Sequence, residues 1–242
     1  MIIYPAIDLR GGQCVRLYQG DYQQETIYAS EPLVMADVFA SDGASWLHVV
    51  DLDGAKHPEQ AQKKLILALL QKRKLSIQIG GGIRSRETIE TYLENGASRV
   101  VIGSLAACCP ETVLTWFQYF GPERLVLALD VMYDKDNQPF VASNAWQTIT
   151  KHTPASLISI YQAVGLKHVL CTDITRDGTL QGPNVGLYES LLRQFPELHI
   201  QASGGIQSLS DLVLLQDKGL RGAITGRALY EKKFTLREAL SC

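Results

Sequence analysis

Asp8 and Asp130 each close a short apolar run. Residues 2–9 read Ile-Ile-Tyr-Pro-Ala-Ile-Asp-Leu, and residues 125–131 read Leu-Val-Leu-Ala-Leu-Asp-Val. Runs of this length, bounded by turn residues, suit strands buried on both faces. An acid at the end of such a strand is lifted to the rim of a sheet, where it can take or give a proton. A single copy would be read more simply as a cap on the helix that follows. Two copies half a chain apart point to a pair that shares acid–base work.

The second set of chemical candidates is rich in glycine. Gly80-Gly81-Gly82 and Ser203-Gly204-Gly205 each follow an apolar run and precede a helical segment, and Gly103-Ser104 and Gly226-Arg227 follow the next apolar run in each half. Glycine lets backbone N–H groups converge with no Cβ in the way, and nearby helix starts favour an anion. One Gly-Gly turn would be only a tight turn, but two matched pairs imply two phosphate sites. Arg84 and Arg227 either add charge there or face solvent. Two such sites with two acids between them call for an elongated small molecule phosphorylated at both ends, and paired acids suit an isomerisation by proton removal and return. No GxGxxG follows the first strand with an acid about 20 residues on. The histidines and cysteines show neither HxxxH nor CxxC spacing, so no cofactor and no metal are expected.

The elements that must hold these groups alternate along the chain. Besides the two acidic runs, strands are predicted over residues 46–50, 75–79, 99–102, 168–171, 198–202 and 223–225. Helices are predicted over 33–41, 59–72, 85–94, 110–120, 154–164, 185–194, 208–218 and 235–240. Residues 13–30 are polar, contain Arg16, lack helical periodicity and are long for a connection, which predicts a functional lid or partial disorder. Residues 132–146, with Asp134-Lys-Asp136-Asn137 at their centre, predict a small hairpin ending near Trp146. Alternating strand and helix demands a parallel sheet, and eight units in 242 residues predict one (β/α)8 TIM barrel over 1–242.

Paired features recur at nearly half the chain length. Asp8 and Asp130 are 122 apart, His48 and His168 are 120 apart, and Gly80/Ser203 and Gly103/Gly226 are each 123 apart. This order predicts two fused half-barrels, about 1–121 and 122–242. Asp8 on strand one and Asp130 on strand five would then face each other across the C-terminal mouth. The formal net charge of −2 supplies no basic field for nucleic acid or an anionic membrane. No apolar run approaches the ~20 residues of a membrane span. Residues 1–8 carry no basic n-region and are broken by Pro5, so no secretory signal is expected. Five cysteines, an odd number without CxxC spacing, fit reduced thiols in a cytosolic protein.

Pro5-Ala-Ile-Asp8-Leu-Arg-Gly-Gly, His48-Val-Val-Asp51-Leu-Asp53, Gly80-Gly-Gly-Ile-Arg84, Asp177-Gly-Thr-Leu180 and Ser203-Gly-Gly-Ile206 together resemble the ProFAR isomerase family of histidine biosynthesis, over essentially the whole chain. The resemblance implies a cytosolic barrel without cofactor, taken here as a monomer. It would convert the aminoaldose end of a bis-phosphoribosyl imidazole carboxamide to the aminoketose by an Amadori rearrangement. It implies Asp8 as proton acceptor, Asp130 as the usual proton donor with Asp177 competing, and Trp146 stacked on the imidazole. Asp51 and Thr172 take supporting places at strand ends, Cys171 is a core residue, and Arg16 either clamps substrate or faces water. Three rivals stand beside this reading: a dual isomerase that also takes phosphoribosyl anthranilate, the sister cyclase of the pathway, and a non-catalytic bisphosphate sensor. The cyclase typically carries a lysine after its first strand, where this chain has Leu9-Arg10-Gly11-Gly12.

Overall fold

The computed structural model describes residues 1–72 and 74–242. Its strands are β1 (Ile2–Arg10), β2 (Gln13–Tyr18), β3 (Asp21–Ala29), β4 (Trp46–Asp51), β5 (Ser76–Gly80), β6 (Arg99–Ile102), β7 (Leu125–Tyr133), β8 (Pro139–Ser143), β9 (Thr148–Ile149), β10 (His168–Asp173), β11 (His199–Ser203) and β12 (Gly222–Thr225). The series β1-β4-β5-β6-β7-β10-β11-β12 pairs in parallel, and β12 returns to β1. The sheet therefore closes into a (β/α)8 TIM barrel.

Strand alternation sorts the side chains into two cores. Ile3, Ile7 and Leu9 of β1 and Leu125, Leu127 and Leu129 of β7 join the outer core, packed with helix residues such as Phe39, Leu69, Phe117 and Tyr188. Tyr4, Ala6, Val126 and Ala128 take the other parity and fill the barrel with Val101, Leu170 and Ile224. Asp8 and Asp130 continue that inner parity at the top of their strands, so alternation turns both into the mouth. Below them Ala6 and Ala128 are small, and Gln78 and Gln201 meet across the barrel interior. Gln78 Nε2 donates to Gln201 Oε1 (2.7 Å), and Gln201 Nε2 donates back to Gln78 Oε1 (3.1 Å).

The helices start where the sequence places caps. Ser85, Thr153, Asn184, Ser208 and Thr235 each accept an N–H from the first turn, and Ser208 and Thr235 form full capping boxes with Asp211 and Glu238. The helix expected over 59–72 is shorter, spanning Lys63–Gln71 after a 3-10 turn at Pro58–Gln60. Its start is delayed because the Gln62 N–H bonds to Asp51 Oδ2 (2.8 Å) and the Gln62 amide to Asp53 Oδ2 (2.9 Å).

Residues 13–30 are an ordered pair of strands rather than a disordered stretch, and Arg16, Leu17, Gly20 and Tyr22 from them line the cavity at the mouth. Gly11 and Gly12, at φ 54° and 80°, turn the chain so that β2 runs back along the top of β1, with Asp8 opposite Val15. β3 pairs with β2 as an outer, largely solvent-facing strand. β7 also runs past the barrel, into an antiparallel pairing with β8, so the hairpin expected over 132–146 is present. Hairpins thus rise from the same two strands that carry Asp8 and Asp130.

Candidate active site

The mouth holds a cavity of about 440 Å³ lined by Asp8, Asp130 and Asp177. Arg16 of β2 donates from Nη1 to Asp8 Oδ2 (2.8 Å) and from Nη2 to the Ala6 carbonyl (2.7 Å). Burial lifts the Asp8 carboxyl above the ordinary aspartate value, and the Arg16 cation opposes that lift. Burial also raises Asp130, against hydrogen bonds from Trp146 and Thr172. Asp177 is pushed up to about 7 by burial; Arg16 pulls it down while Asp8 and Asp130 push it further up. One cavity thus contains an acid bonded to a cation, an acid held by neutral donors, and an acid poised near neutrality.

Asp177 is held on a short turn after β10, where its N–H bonds to the Asp173 carbonyl (3.0 Å). The β2–β3 hairpin holds that turn in place. Gln19 N–H bonds to the Asp177 carbonyl (3.1 Å), and Gln19 Nε2 donates to Thr175 O (2.7 Å). Gly178 allows the approach: its φ is +70°, and a Cβ there would lie 2.7 Å from the Leu17 carbonyl. The turn is therefore already closed, and Asp177 reaches the cavity without further movement.

The glycine stretches flank the acids. Gly81, Gly82, Arg84, Gly103 and Ser104 line the large cavity. Gly204, Gly205, Gly226 and Arg227 line a smaller one of about 40 Å³, which shares Arg16, Asp177, Ser203 and Ile224 with the first. The backbones match in pairs: Gly81 and Gly204 have φ of 93° and 94°, and Gly103 and Gly226 have φ/ψ of −109°/−95° and −114°/−94°. At Gly82 and Gly205 a Cβ would collide with the carbonyls of Gly54 and Gly182, so only glycine lets these loops nest. Arg84 is exposed and donates to the Ala55 carbonyl (3.1 Å). Arg227 is held by Glu231 Oε1 (2.5 Å) and by the Gly178 carbonyl, which ties the second cradle to the Asp177 turn.

Trp146 sits in the turn between β8 and β9, at the cavity wall. Asn144, Ala145 and Trp146 have φ of 54°, 50° and 68°, a left-handed run that costs non-glycine residues on the order of 1–2 kcal/mol each. The run sets the indole against Gly20 of the first hairpin, where a Cβ would strike the ring. Asn144 N–H also bonds to Ser104 Oγ (3.1 Å), so the hairpin rests on the first cradle. Asp51 is buried and accepts the Gly54 and Gln62 N–H groups (2.9 and 2.8 Å). This fixes the turn that Gly81 and Gly82 pack against. Cys171 is fully buried.

The sequence marked His48 only through the repeat and the motif, not as a site residue. His48 is 5% exposed and forms part of the cavity wall. Gln78 Nε2 donates to its Nδ1 (3.0 Å), which leaves the ring proton on Nε2. Burial, with Arg16 nearby, holds the imidazole down to about 3, so it is a neutral donor at any working pH. Its signal was the parity shared with Trp46 and Val50 in β4. Among the described residues no group of three or more His, Cys, Asp or Glu is placed to hold a metal ion. No helix among them is long and apolar enough to cross a membrane.

The model of the family described as "histidine biosynthesis protein" matches residues 2–235. The chain belongs to the histidine biosynthesis protein family. Members of that family similar to it include proteins from Elusimicrobium minutum, 51% identical with all of both chains covered, and Actinobacillus succinogenes, 49% identical over all of this chain and 97% of the relative. A Proteus mirabilis member is 49% identical over all of this chain and 98% of its own. All three are named 1-(5-phosphoribosyl)-5-((5-phosphoribosylamino)methylideneamino)imidazole-4-carboxamide isomerase.

Proposed function

We propose that this chain is the isomerase of histidine biosynthesis that converts the aminoaldose ProFAR to the aminoketose PRFAR. The observation that carries the reading is the single mouth in which two backbone-matched glycine cradles flank three acids. A substrate with a phosphoribosyl group at each end fits that spacing, one phosphate beside Gly81-Gly82 and Gly103-Ser104, the other beside Gly204-Gly205 and Gly226-Arg227. The matched cradles also support descent from two half-barrels, about 1–121 and 122–242, within one domain. A monomer is the proposed working unit, and five free cysteines fit a reducing cytosol.

An acid must protonate the ribose ring oxygen, so that the C1′–O bond breaks and a C1′=N iminium forms. A base then removes the C2′ proton to give an enol-amine, which ketonises as a proton returns to C1′. Asp8 is the base, and its bond to Arg16 opposes the rise that burial causes. Asp177 suits the donor best, because an acid near 7 holds its proton at neutral pH and still releases it. Asp130, the positional favourite from the sequence, lines the same cavity as Trp146 and Thr172 and is also required. Arg84 and Arg227 supply charge at the cradles.

The test is conversion of ProFAR by the purified protein, beside Asp8→Asn and with phosphoribosyl anthranilate as an alternative substrate. The parent is expected to turn over ProFAR, and Asp8→Asn to bind it while losing on the order of 10²–10⁴-fold or more in kcat. Near-parental kcat in Asp8→Asn would remove Asp8 from the mechanism. Turnover of the anthranilate at a comparable rate would widen the function to a dual isomerase.

A further inference from the structure

Asp8 and Asp177 line the same cavity, yet the proposed reaction needs one to arrive without its proton and the other with it. Something must break their equivalence. Asp8 is faced by Arg16, Cys14 and Tyr22 from the β2–β3 hairpin and by Tyr230 from the last barrel loop. Asp177 and Asp130 lie on other walls of the same cavity, and neutral His48 lines its β4 side. Arg16 is the one cation among these groups. It bonds to Asp8 and to the Ala6 carbonyl below it. No ion pair joins it to Asp177 among the described residues.

Two further neighbours, Tyr230 and Gly226, border the guanidinium. Its Cζ lies 5.7 Å from the centroid of the Tyr230 ring. Its Nε is buried with no partner, so the head group is held by its two Nη contacts and by packing. Gly226 borders it so closely that a Cβ there would overlap the guanidinium. The neighbour is the far end of a flexible side chain, so Gly226→Ala would displace Arg16 rather than the backbone.

We infer that Arg16 is the positioning residue that keeps Asp8 the proton acceptor and Asp177 the proton donor, and that Gly226 lacks a side chain in order to seat it. The inference rests on the isomerase reading for its chemistry but not for its first readout. Burial raises both carboxyls and the cation acts against that at both, but only Asp8 also takes a direct hydrogen bond from it. Removing it raises Asp8 more than Asp177 and brings the two together. Arg16→Lys keeps a charge near Asp8 without the second bond to Ala6, and so retains part of the asymmetry.

The experiment is a carboxyl-carbon NMR titration of aspartate-labelled, ligand-free protein, followed by pH–rate profiles with ProFAR. Parent, Arg16→Met, Arg16→Lys and Gly226→Ala are compared. In Arg16→Met the Asp8 titration and the acid limb of the rate profile should move up by on the order of one pH unit or more. The alkaline limb should move less, so that the bell narrows. Gly226→Ala should shift the limbs in the same sense, and Arg16→Lys should fall between parent and Arg16→Met. Unmoved limbs with a raised KM alone would make Arg16 a substrate clamp and overturn the inference. Equal shifts of both acids would also overturn it. A parent that fails to turn over ProFAR would reject the isomerase reading, while the titration would still decide what Arg16 does to the two acids. Should Arg16→Met fail to fold, Gly226→Ala and Arg16→Lys carry the same comparison.

Discussion

Replacing Gln78, Gln201 or both with leucine tests the polar tie beneath the mouth. Each amide is fully or nearly fully buried, at 0% and 2% exposure, and the two exchange a reciprocal pair of bonds. Leucine is close to glutamine in volume, so the cavity term is small and the cost is that of stranded polar groups. Gln201→Leu strands one Gln78 oxygen and one amide proton, a loss of roughly 1–3 kcal/mol. Gln78→Leu strands both Gln201 groups and also the Nδ1 of His48 (3.0 Å), so it should cost more than Gln201→Leu. The double variant strands only His48, and its loss should fall short of the sum of the singles by about twice the Gln201→Leu cost, roughly 2–6 kcal/mol. Equilibrium urea unfolding of the four proteins, with the midpoint and slope fitted for each, reads the coupling. Strictly additive losses, or a double variant worse than the sum, would mean that the amides do not satisfy each other inside the barrel.

Other outcomes follow from the same contacts. Sulfate or phosphate soaked into ligand-free crystals should occupy two sites, beside Gly81-Gly82/Gly103-Ser104 and beside Gly204-Gly205/Gly226-Arg227; density at one alone would count against a substrate phosphorylated at both ends. His48 is held down to about 3 in the fold, against about 6.5 unfolded, so between those values the unfolded chain binds the extra proton. Stability contributed this way is full above about 6.5 and lost as pH falls toward 3. His48→Asn should therefore lose less stability than the parent between pH 7 and pH 4 in urea unfolding, and an equal loss would refute the buried neutral imidazole.

Much of this arrangement was legible in the sequence because it rests on local rules. Asp8 and Asp130 end apolar strands, and alternation turns a strand-end acid inward when the residues two and four before it face the barrel. The helices expected from Ser85, Pro110, Pro154, Ser208 and Thr235 start within a residue of the observed ones. The β2–β3 hairpin was missed because β3 is an outer strand: Ile27 is 54% exposed, and no apolar alternation marks a strand without a buried face. Gly11-Gly12 was its one local signal. Asp177 stood out by resemblance alone, since its place depends on Gly178 lying against Leu17, some 160 residues away in sequence. His48 belongs to the cavity wall through its bond to Gln78 on the next strand, a relation that no single strand displays. The partner of Arg16 was likewise hidden, because the hairpin register that places it over Asp8 is a tertiary fact.

The measurement that bears most directly on the proposed chemistry is the pH–rate profile of Asp177→Asn and Asp130→Asn with ProFAR. Asp177 near 7 should set the alkaline limb of the parent's bell, since the donor must still carry its proton. Asp177→Asn should lose that limb together with most of kcat, whereas Asp130→Asn should keep the limb and lose activity through a higher KM. If Asp177→Asn kept the alkaline limb while Asp130→Asn abolished it, the donor would be Asp130, and the assignment made from the geometry would be wrong.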